Sequence, residues 1–376
     1  MKNQTMSPKS DVPFAPRFQL ADFAPLISLA TLVLVFSVVA SDFLSFGTLS
    51  LILKQGAVLA IVATGLTFVL LCAEIDLSVG MVALLSACLC GVMWESPFAA
   101  GPKEINGVES VSLMTTAFVI LVPVLIAVLL GLISGWLTIS SGLPSFIITL
   151  AMMNISLGLA RFLTRSQKFA VPPILNQLGN SSLLDITVQR MGTLSIPQNA
   201  VLAAAVMTMA HLVLQHTRFG RYVYMTGGNR QAARLAGIRT ERIVIACLAI
   251  CAMTAACGGM VNSGRMNSVS LDQNADLLLD AVACVVLGGT SLFGGEGSIG
   301  RTLIGVLSFT VLKVGLNLTN VERLIKQSPL SGGMKEAWLK ASWVTQFDLL
   351  RPFLLGIVLL LALVIHGRLV KHRSQA

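Results

Sequence analysis

Residues 51–71 read LILKQGAVLAIVATGLTFVLL, and this apolar run indicates the class of protein. A bilayer core about 30 Å thick is crossed by a helix of about 20 apolar residues. Similar runs recur along the chain, in which 55% of residues are hydrophobic, 11% are charged and the mean hydropathy is +0.82. A soluble chain of 376 residues has too small an interior to bury them all. The sequence therefore predicts an integral membrane protein.

Helices are the predicted spanning structure, because the apolar runs are continuous, whereas the strands of a membrane barrel alternate. We predict an all-α, polytopic fold with about ten transmembrane helices. The predicted spans are 24–40, 51–71, 78–94, 113–138, 145–163, 197–215, 243–262, 279–293, 299–317 and 350–367. Residues 1–23 and 368–376 are predicted to be polar tails. The stretches 164–196 and 318–349 are too polar to span and are predicted to form external loops or short surface helices.

An even number of spans places both termini on one side of the membrane. Cytoplasmic loops carry an excess of basic residues, so the arginine-rich segment 216–242 and the basic C-terminal tail favour cytoplasmic termini. The net charge of +9 is explained in the same way, by basic loops against anionic lipid, and we predict no nucleic-acid partner. The seven cysteines fall inside apolar segments without His or carboxylate at ligand spacing. We interpret them as packing residues and predict no metal site.

The segment 216–242 contains a turn followed by a short helix. Gly227, Gly228 and Asn229 form the predicted turn, and Asn229 is a suitable cap for a helix over Arg230–Ala236 that ends at Gly237. A helix this short needs a surface to dock on. Its candidate docking residues are small or basic, namely Arg230, Ala232, Ala233 and Arg234. The alternative is an ordinary basic loop lying on lipid headgroups.

A second feature is the polar sequence between two apolar runs, which contains Glu74, Asp76, Ser78 and Gly80. Carboxylates so close to a membrane are costly and usually functional. One interpretation is that Asp76 caps a helix beginning at Leu77. The other is that it holds a bend in a broken helix beside a polar pathway, and the two are compatible. We predict no catalytic residue, because no nucleophile or metal-ligating His lies nearby.

Residues 287–300 are rich in glycine, and Gly295, Gly297 and Gly300 match the pattern G-x-G-x-x-G. No strand precedes them, the lysine of a phosphate-binding loop is missing, and Glu296 would repel phosphate. We interpret this stretch as a flexible break between helices, and we expect this chain to hold no ATP. Further candidates for the pathway are side chains within the spans, namely Phe146, Asn154 and Asp280. Helix–helix hydrogen bonding is an equally good explanation for the two polar ones.

Several strings in a fixed order resemble the permease subunits of bacterial ATP-binding-cassette importers for monosaccharides. These are the ribose, xylose and galactoside permeases within the branched-chain amino-acid permease superfamily. The resemblance covers about Gln55–Val321. It is carried by residues 65–67, 75–80, 144–150, 217–221, 227–229, 279–283, 287–292 and 294–295.

The resemblance implies a permease domain over 24–367 in the bacterial inner membrane, paired with a second permease subunit. It also implies a cytoplasmic ATPase that binds ATP and Mg, and a periplasmic sugar-binding protein. Ala232, Ala233 and Gly237 match the family's coupling helix, which docks on the ATPase. The chain departs from the family at Ala73-Glu74, where glycines are usual, and in its longer loop 321–349. Alternatives are a nucleoside or branched-chain amino-acid permease and, from another class, an intramembrane enzyme using Glu74 and Asp76.

Overall fold

The computed structural model describes residues 23–40, 42–96, 103–105, 108–110, 113–188, 192–271, 273–274, 276–320, 325–326, 338–339, 347, 349–358 and 360–361. In these residues the chain forms thirteen helices and two small hairpins. The first elements are α1 (Ala24–Val39), α2 (Phe46–Leu71), α3 (Val79–Glu95), β1 (Lys103–Ile105), β2 (Val108–Ser110), α4 (Leu113–Ser141), α5 (Ser145–Thr164) and α6 (Pro173–Asn180). They are followed by β3 (Ser182–Val188), β4 (Gly192–Pro197), α7 (Gln198–His216), α8 (Arg218–Gly228), α9 (Arg230–Leu235), α10 (Thr240–Met266), α11 (Leu277–Leu287), α12 (Ile299–Leu318) and α13 (Leu349–Val358).

Ten of these helices correspond to the ten predicted spans. Within the described residues, six helices are long and apolar enough to cross a membrane: α2, α4, α5, α7, α10 and α12. Four shorter apolar helices, α1, α3, α11 and α13, occupy the other predicted segments. The prediction of an all-α polytopic membrane protein is confirmed. Six of the seven cysteines are buried, in agreement with a packing role.

The centre of the protein is a pair of long helices, α2 and α10, of 26 and 27 residues. They run antiparallel and approach closely at Gly65, where a Cβ atom would lie 2.8 Å from Cα of Cys251 and would overlap the hydroxyl of Thr254. A side chain there would push the two backbones apart. The largest cluster of buried apolar side chains surrounds this contact.

The same arrangement of a long helix, a non-helical segment and a short helix occurs twice. α2 is followed by residues 72–78 and then α3, and α10 is followed by residues 267–276 and then α11. The two short helices approach each other near their first turns, where a Cβ atom on Gly80 would lie 3.1 Å from the carbonyl oxygen of Asn274. Each short helix therefore begins inside the protein instead of at its surface.

The two ends of the helical bundle differ in structure. One, the hairpin end, carries α6 and the antiparallel hairpin of β3 and β4, where Ser195 N donates to Ser50 Oγ near the start of α2. The other, the junction end, carries α8, α9 and the glycine-rich loop, where Gly295 N donates to Leu71 O at the end of α2. At 1.5 Å per residue, α2 covers about 39 Å from one end to the other.

Two predictions about elements need correction. The span predicted over 279–293 is a helix only to Leu287, because Gly288 and Gly289 end it, the latter with a φ of +85°. The stretch 164–196, predicted as loops or surface helices, contains α6 and also the hairpin of β3 and β4. Most of 318–349, residues 1–22, the C-terminal tail and the end of the last predicted span lie outside the described residues.

Candidate functional site

The three motifs that the sequence analysis singled out meet at one place. Three segments are in contact here: Leu71–Glu74 at the end of α2, Gly227–Arg230 where α8 ends and α9 begins, and Gly294–Gly297 in the glycine-rich loop. We call this meeting point the junction. Gly295 N donates to Leu71 O at 2.9 Å, and Tyr224 Oη of α8 donates to Gly297 O at 2.9 Å. Segments more than 150 residues apart in sequence therefore share one structural unit.

Gly227 permits this contact because it has no side chain. A Cβ atom on Gly227 would overlap the carbonyl oxygen of Leu71 and lie 2.8 Å from the backbone nitrogen of Gly295. Both neighbours are backbone atoms and cannot turn aside as the end of a flexible side chain could. The next residue, Gly228, would place a Cβ atom in open space. The two adjacent glycines therefore differ sharply in how they tolerate a side chain.

The short helix α9 follows the junction and begins as predicted. Asn229 Oδ1 accepts a hydrogen bond from Ala232 N at 2.9 Å and so caps the helix. The helix ends at Leu235, and Gly237 then adopts a φ of +81°, in the left-handed region that favours glycine. The predicted cap and helix are confirmed, with the helix one residue shorter than predicted. The prediction of a turn over Gly227, Gly228 and Asn229 is wrong for the two glycines, which are the last residues of α8, so that Asn229 alone separates the two helices.

The side chains of α9 point in two directions. Ala233 is 2% exposed and packs into the main apolar cluster, so its methyl group faces the protein's own interior. Ala232 and Arg234 are exposed, and Arg234 pairs with Glu241 at 2.8 Å. Leu235 is 91% exposed, although it is a large apolar residue. Sequence reasoning missed Leu235; the available signal was an isolated leucine in a basic helix that needs a docking surface.

Glu74, whose role the sequence left open, pairs with the first residue of α9. Arg230 Nη2 lies 2.6 Å from Glu74 Oε1 and also donates to the carbonyl oxygen of Cys72 at 3.2 Å. Glu74 is 8% exposed, so its carboxylate is largely removed from solvent. A buried carboxylate is stable only when it is paired or hydrogen-bonded. The structure supplies that partner from α9.

The non-helical segment after Glu74 is held by side chains. Asp76, which is 3% exposed, accepts hydrogen bonds through Oδ1 from Ser78 N at 2.9 Å and Ser78 Oγ at 2.6 Å. The prediction that Asp76 caps a helix starting at Leu77 is wrong in position, because α3 starts at Val79 and the bonded amide belongs to Ser78, one residue before it. The interpretation of Asp76 as the residue that holds a bend agrees with this geometry.

Helix α5 completes the hydrogen bonding of the bend. Ile75 N donates to Ser145 Oγ at 3.0 Å, and Leu77 N donates to Thr149 Oγ1 at 3.0 Å. Backbone groups in a membrane interior must find partners within the protein. The first turns of α5 thus provide the partners that a regular helix would otherwise provide.

We expect Thr149→Ala to destabilise the protein by about 1–3 kcal/mol, because the amide of Leu77 would lose its partner in a buried site. Thr149→Ser keeps the hydroxyl and should retain most of the stability. Thermal unfolding of the two variants in the same detergent measures the difference. Equal melting temperatures for the alanine and serine variants would contradict this role of the hydroxyl.

The remaining candidates lie away from the junction. Phe146 and Asn154 are both exposed on α5, and the amide of Asn154 donates to Leu150 O of its own helix at 3.0 Å. Asp280 on α11 pairs with Lys313 on α12 at 2.7 Å. This pair lines a cavity of about 810 Å³ between α11, α12 and α13. The structure therefore brings Glu74 together with the α9 segment, and leaves Phe146, Asn154 and Asp280 apart from it.

In the comparison with known proteins, the matching family and the relatives named below are all transport permeases. Residues 48–363 match the family model described as branched-chain amino acid transport system / permease component. The chain is 32% identical to the ribose import permease of Haemophilus influenzae over 85% of this chain and 91% of the relative. It is 32% identical to the fructose import permease of Rhizobium meliloti over 79% of each chain, and 28% identical to the autoinducer 2 import permease of Photorhabdus laumondii over 93% of this chain and 90% of the relative. No solved structure matches the chain.

Proposed function

Since the chain belongs to the family of branched-chain amino acid transport system permease components, we propose that it forms the membrane pathway of an ATP-binding-cassette importer that takes up a monosaccharide. The observation that carries this proposal is the similarity to ribose and fructose import permeases along most of the length of both chains. The chain is a non-catalytic, multi-pass membrane subunit, and ATP with Mg is bound by a separate ATPase.

The contact with that ATPase is assigned to α9 and the end of α8 before it. A short helix with an exposed leucine and an exposed arginine at one end of a membrane protein is suited to enter a groove on a soluble partner. The proposed contact residues are Leu235 and the predicted residues that are exposed, namely Gly228, Asn229, Ala232, Arg234 and Gly237. Gly227 and Ala233 support the segment from beneath, since both face the protein interior.

The junction end is proposed to face the cytoplasm, and both termini with it. α12 begins directly after the glycine-rich loop, and the end of α1 packs beside the far end of α12, where Phe36 covers Gly315. α1 therefore starts at the junction end. α13 begins next to the far end of α12, where Arg351 donates to Asn317 O, and runs back. This arrangement supports cytoplasmic termini and leaves the hairpin end for a periplasmic binding protein.

The proposed assembly contains a second permease subunit, with the pathway between the two. Side chains that would contribute are exposed ones on α5, including Phe146 and Asn154, and the pair of Asp280 and Lys313 beside its cavity. Asp76, Ser78 and Gly80 shape the bend from which α3 starts. Carboxylate, amide and ammonium groups next to an aromatic ring are suited to polyhydroxylated ligands. In this protein the Nζ atom of Lys313 lies 5.9 Å from the centre of the Phe309 ring.

Uptake into proteoliposomes tests the proposed function. The chain, its ATPase and its binding protein are reconstituted with ATP inside the vesicles, and labelled ribose, fructose, autoinducer 2, leucine and a nucleoside are compared. We expect ATP-dependent uptake of a monosaccharide and none of leucine or the nucleoside. A matched preparation with an inactive ATPase serves as the control. Uptake of leucine or a nucleoside alone would assign the chain to another branch of its family.

A further inference from the structure

We propose that the ion pair between Glu74 and Arg230 is the mechanical link that transmits movement of α9 to the bend before α3. The inference rests on the proposed function, in which α9 contacts the ATPase. It assigns to Glu74 a positioning role in the transport cycle, by which the carboxylate couples two parts of the permease without touching the substrate.

The geometry places the pair between the two parts that must move together. Arg230 is the first residue of α9, and Glu74 lies in the non-helical segment 72–78 that leads into α3. Arg230 Nη2 contacts both Glu74 Oε1 at 2.6 Å and the carbonyl oxygen of Cys72 at 3.2 Å. One guanidinium thus holds the segment at two points. Two bonds from a planar donor restrict direction as well as distance.

The burial of Glu74 makes it costly to pull Arg230 away from this carboxylate. The side chain of Glu74 is 9% exposed, so moving α9 away would leave a buried carboxylate without its counter-ion. The close approach of Gly227 to Leu71 O resists compression of the same interface and does not resist separation. The ion pair and the glycine contact therefore act in opposite directions. Together they make the bend move with α9 whether α9 moves toward the junction or away from it.

The movement has a defined route beyond Glu74. The next residue, Ile75, is bonded to Ser145, and Leu77 is bonded to Thr149, so the bend is fixed to the start of α5. Asp76 ties the bend to Ser78 at the start of α3. A pull on Glu74 therefore reaches both α3 and α5. These two helices also pack against each other.

The chain contains a matched pair for comparison. Arg234, also on α9, pairs with Glu241 at 2.8 Å, but both side chains are well exposed and Glu241 lies in the first turn of α10, not in the bend. Neutralising Glu241 removes the same charge from an ion pair of α9 and leaves the bend untouched. Exposed pairs contribute little to stability. Glu241→Gln is therefore the control for Glu74→Gln.

The test measures substrate imported per ATP hydrolysed, in proteoliposomes that contain the full transporter. Coupling between two sites typically changes an equilibrium about 5- to 150-fold, so we expect Glu74→Gln to lower this ratio at least about fivefold. We expect the ATPase to copurify in the normal amount, and Glu241→Gln to keep the wild-type ratio. A wild-type ratio in Glu74→Gln, or an equal loss in Glu241→Gln, would overturn the inference.

A second variant covers the case in which Glu74→Gln does not fold. Glu74→Gln combined with Arg230→Gln removes both charges and leaves no buried charge unpaired. The amount of ATPase that copurifies is measured alongside, so that weaker docking is distinguished from lost coupling. If the pair is the link, the double variant still imports at least about fivefold less substrate per ATP hydrolysed than the wild type. A wild-type ratio in the double variant would overturn the inference. Absence of ATP-dependent uptake by the wild type would refute the proposed function instead.

Discussion

Replacing Gly227 by alanine is expected to reduce transport strongly and to lower the melting temperature of the permease. The new methyl group would overlap Leu71 O and press on the backbone of Gly295, so the junction could close only if one of three segments moved. Overpacking of a tight contact typically costs about 1–3 kcal/mol. Since 1.4 kcal/mol corresponds to about a factor of ten in an equilibrium, we expect transport to fall about tenfold or more.

The adjacent glycine supplies the comparison for folding. Gly228→Ala adds the same methyl group where no atom from outside its own stretch of helix lies within 4 Å, so we expect its melting temperature to match the wild type. The measurements are thermal unfolding of both variants in detergent and uptake by the Gly227 variant. If the two alanine variants unfolded at the same temperature, the close contact at Gly227 would not govern the junction.

Replacing Leu235 by glutamate should prevent the ATPase from binding while the permease remains folded. Leu235 is 91% exposed, so the change removes almost no contact within the permease. In the proposed complex this side chain enters a groove on the ATPase, and glutamate would bring an unpaired charge there. Loss of a central interface contact costs about 2 kcal/mol or more, which is about a 30-fold loss of affinity. Copurification of the ATPase with tagged permease measures it.

Leu183 provides the control at the other end of the molecule. It is also an exposed leucine, on β3 of the hairpin, and Leu183→Glu makes the same chemical change far from α9. We expect this variant to retain the ATPase, and Leu235→Met to retain it as well. Normal copurification with Leu235→Glu would mean that the ATPase contacts a different surface.

The helices were predictable from sequence because hydropathy is a local property. Each span needs its own run of apolar residues, and the cap of α9 by Asn229 involves residues only three apart. Helix α11 was less predictable, since the apolar run continues past Leu287 and the glycine pair, not polarity, ends the helix. The hairpin of β3 and β4 was missed because it depends on hydrogen bonds between two short strands, and neither strand has a strong signal of its own in the sequence.

The arrangement of the junction was not predictable, since it depends on contacts between distant segments. The sequence shows an unusual carboxylate at position 74 and an arginine at position 230, and each has a plausible local explanation. Their pairing across 156 residues follows only from the packing of α2 against α8 and α10. Burial of Ala233 and exposure of Leu235 likewise depend on which face of α9 meets the protein. A helix of six residues is too short to show that face by periodicity.

The hydrogen bonds of the bend also carry a consequence for biosynthesis. Ile75 and Leu77 find their partners on α5, which follows them by 70 and 72 residues. When α2 and α3 leave the ribosome, the amides between them have no such partners, and lipid offers none. The bend is therefore completed only after α5 has entered the membrane. We therefore expect the four helices α2, α3, α4 and α5 to mature as one group, with the amides of Ile75 and Leu77 hydrogen-bonded to water until α5 is in place.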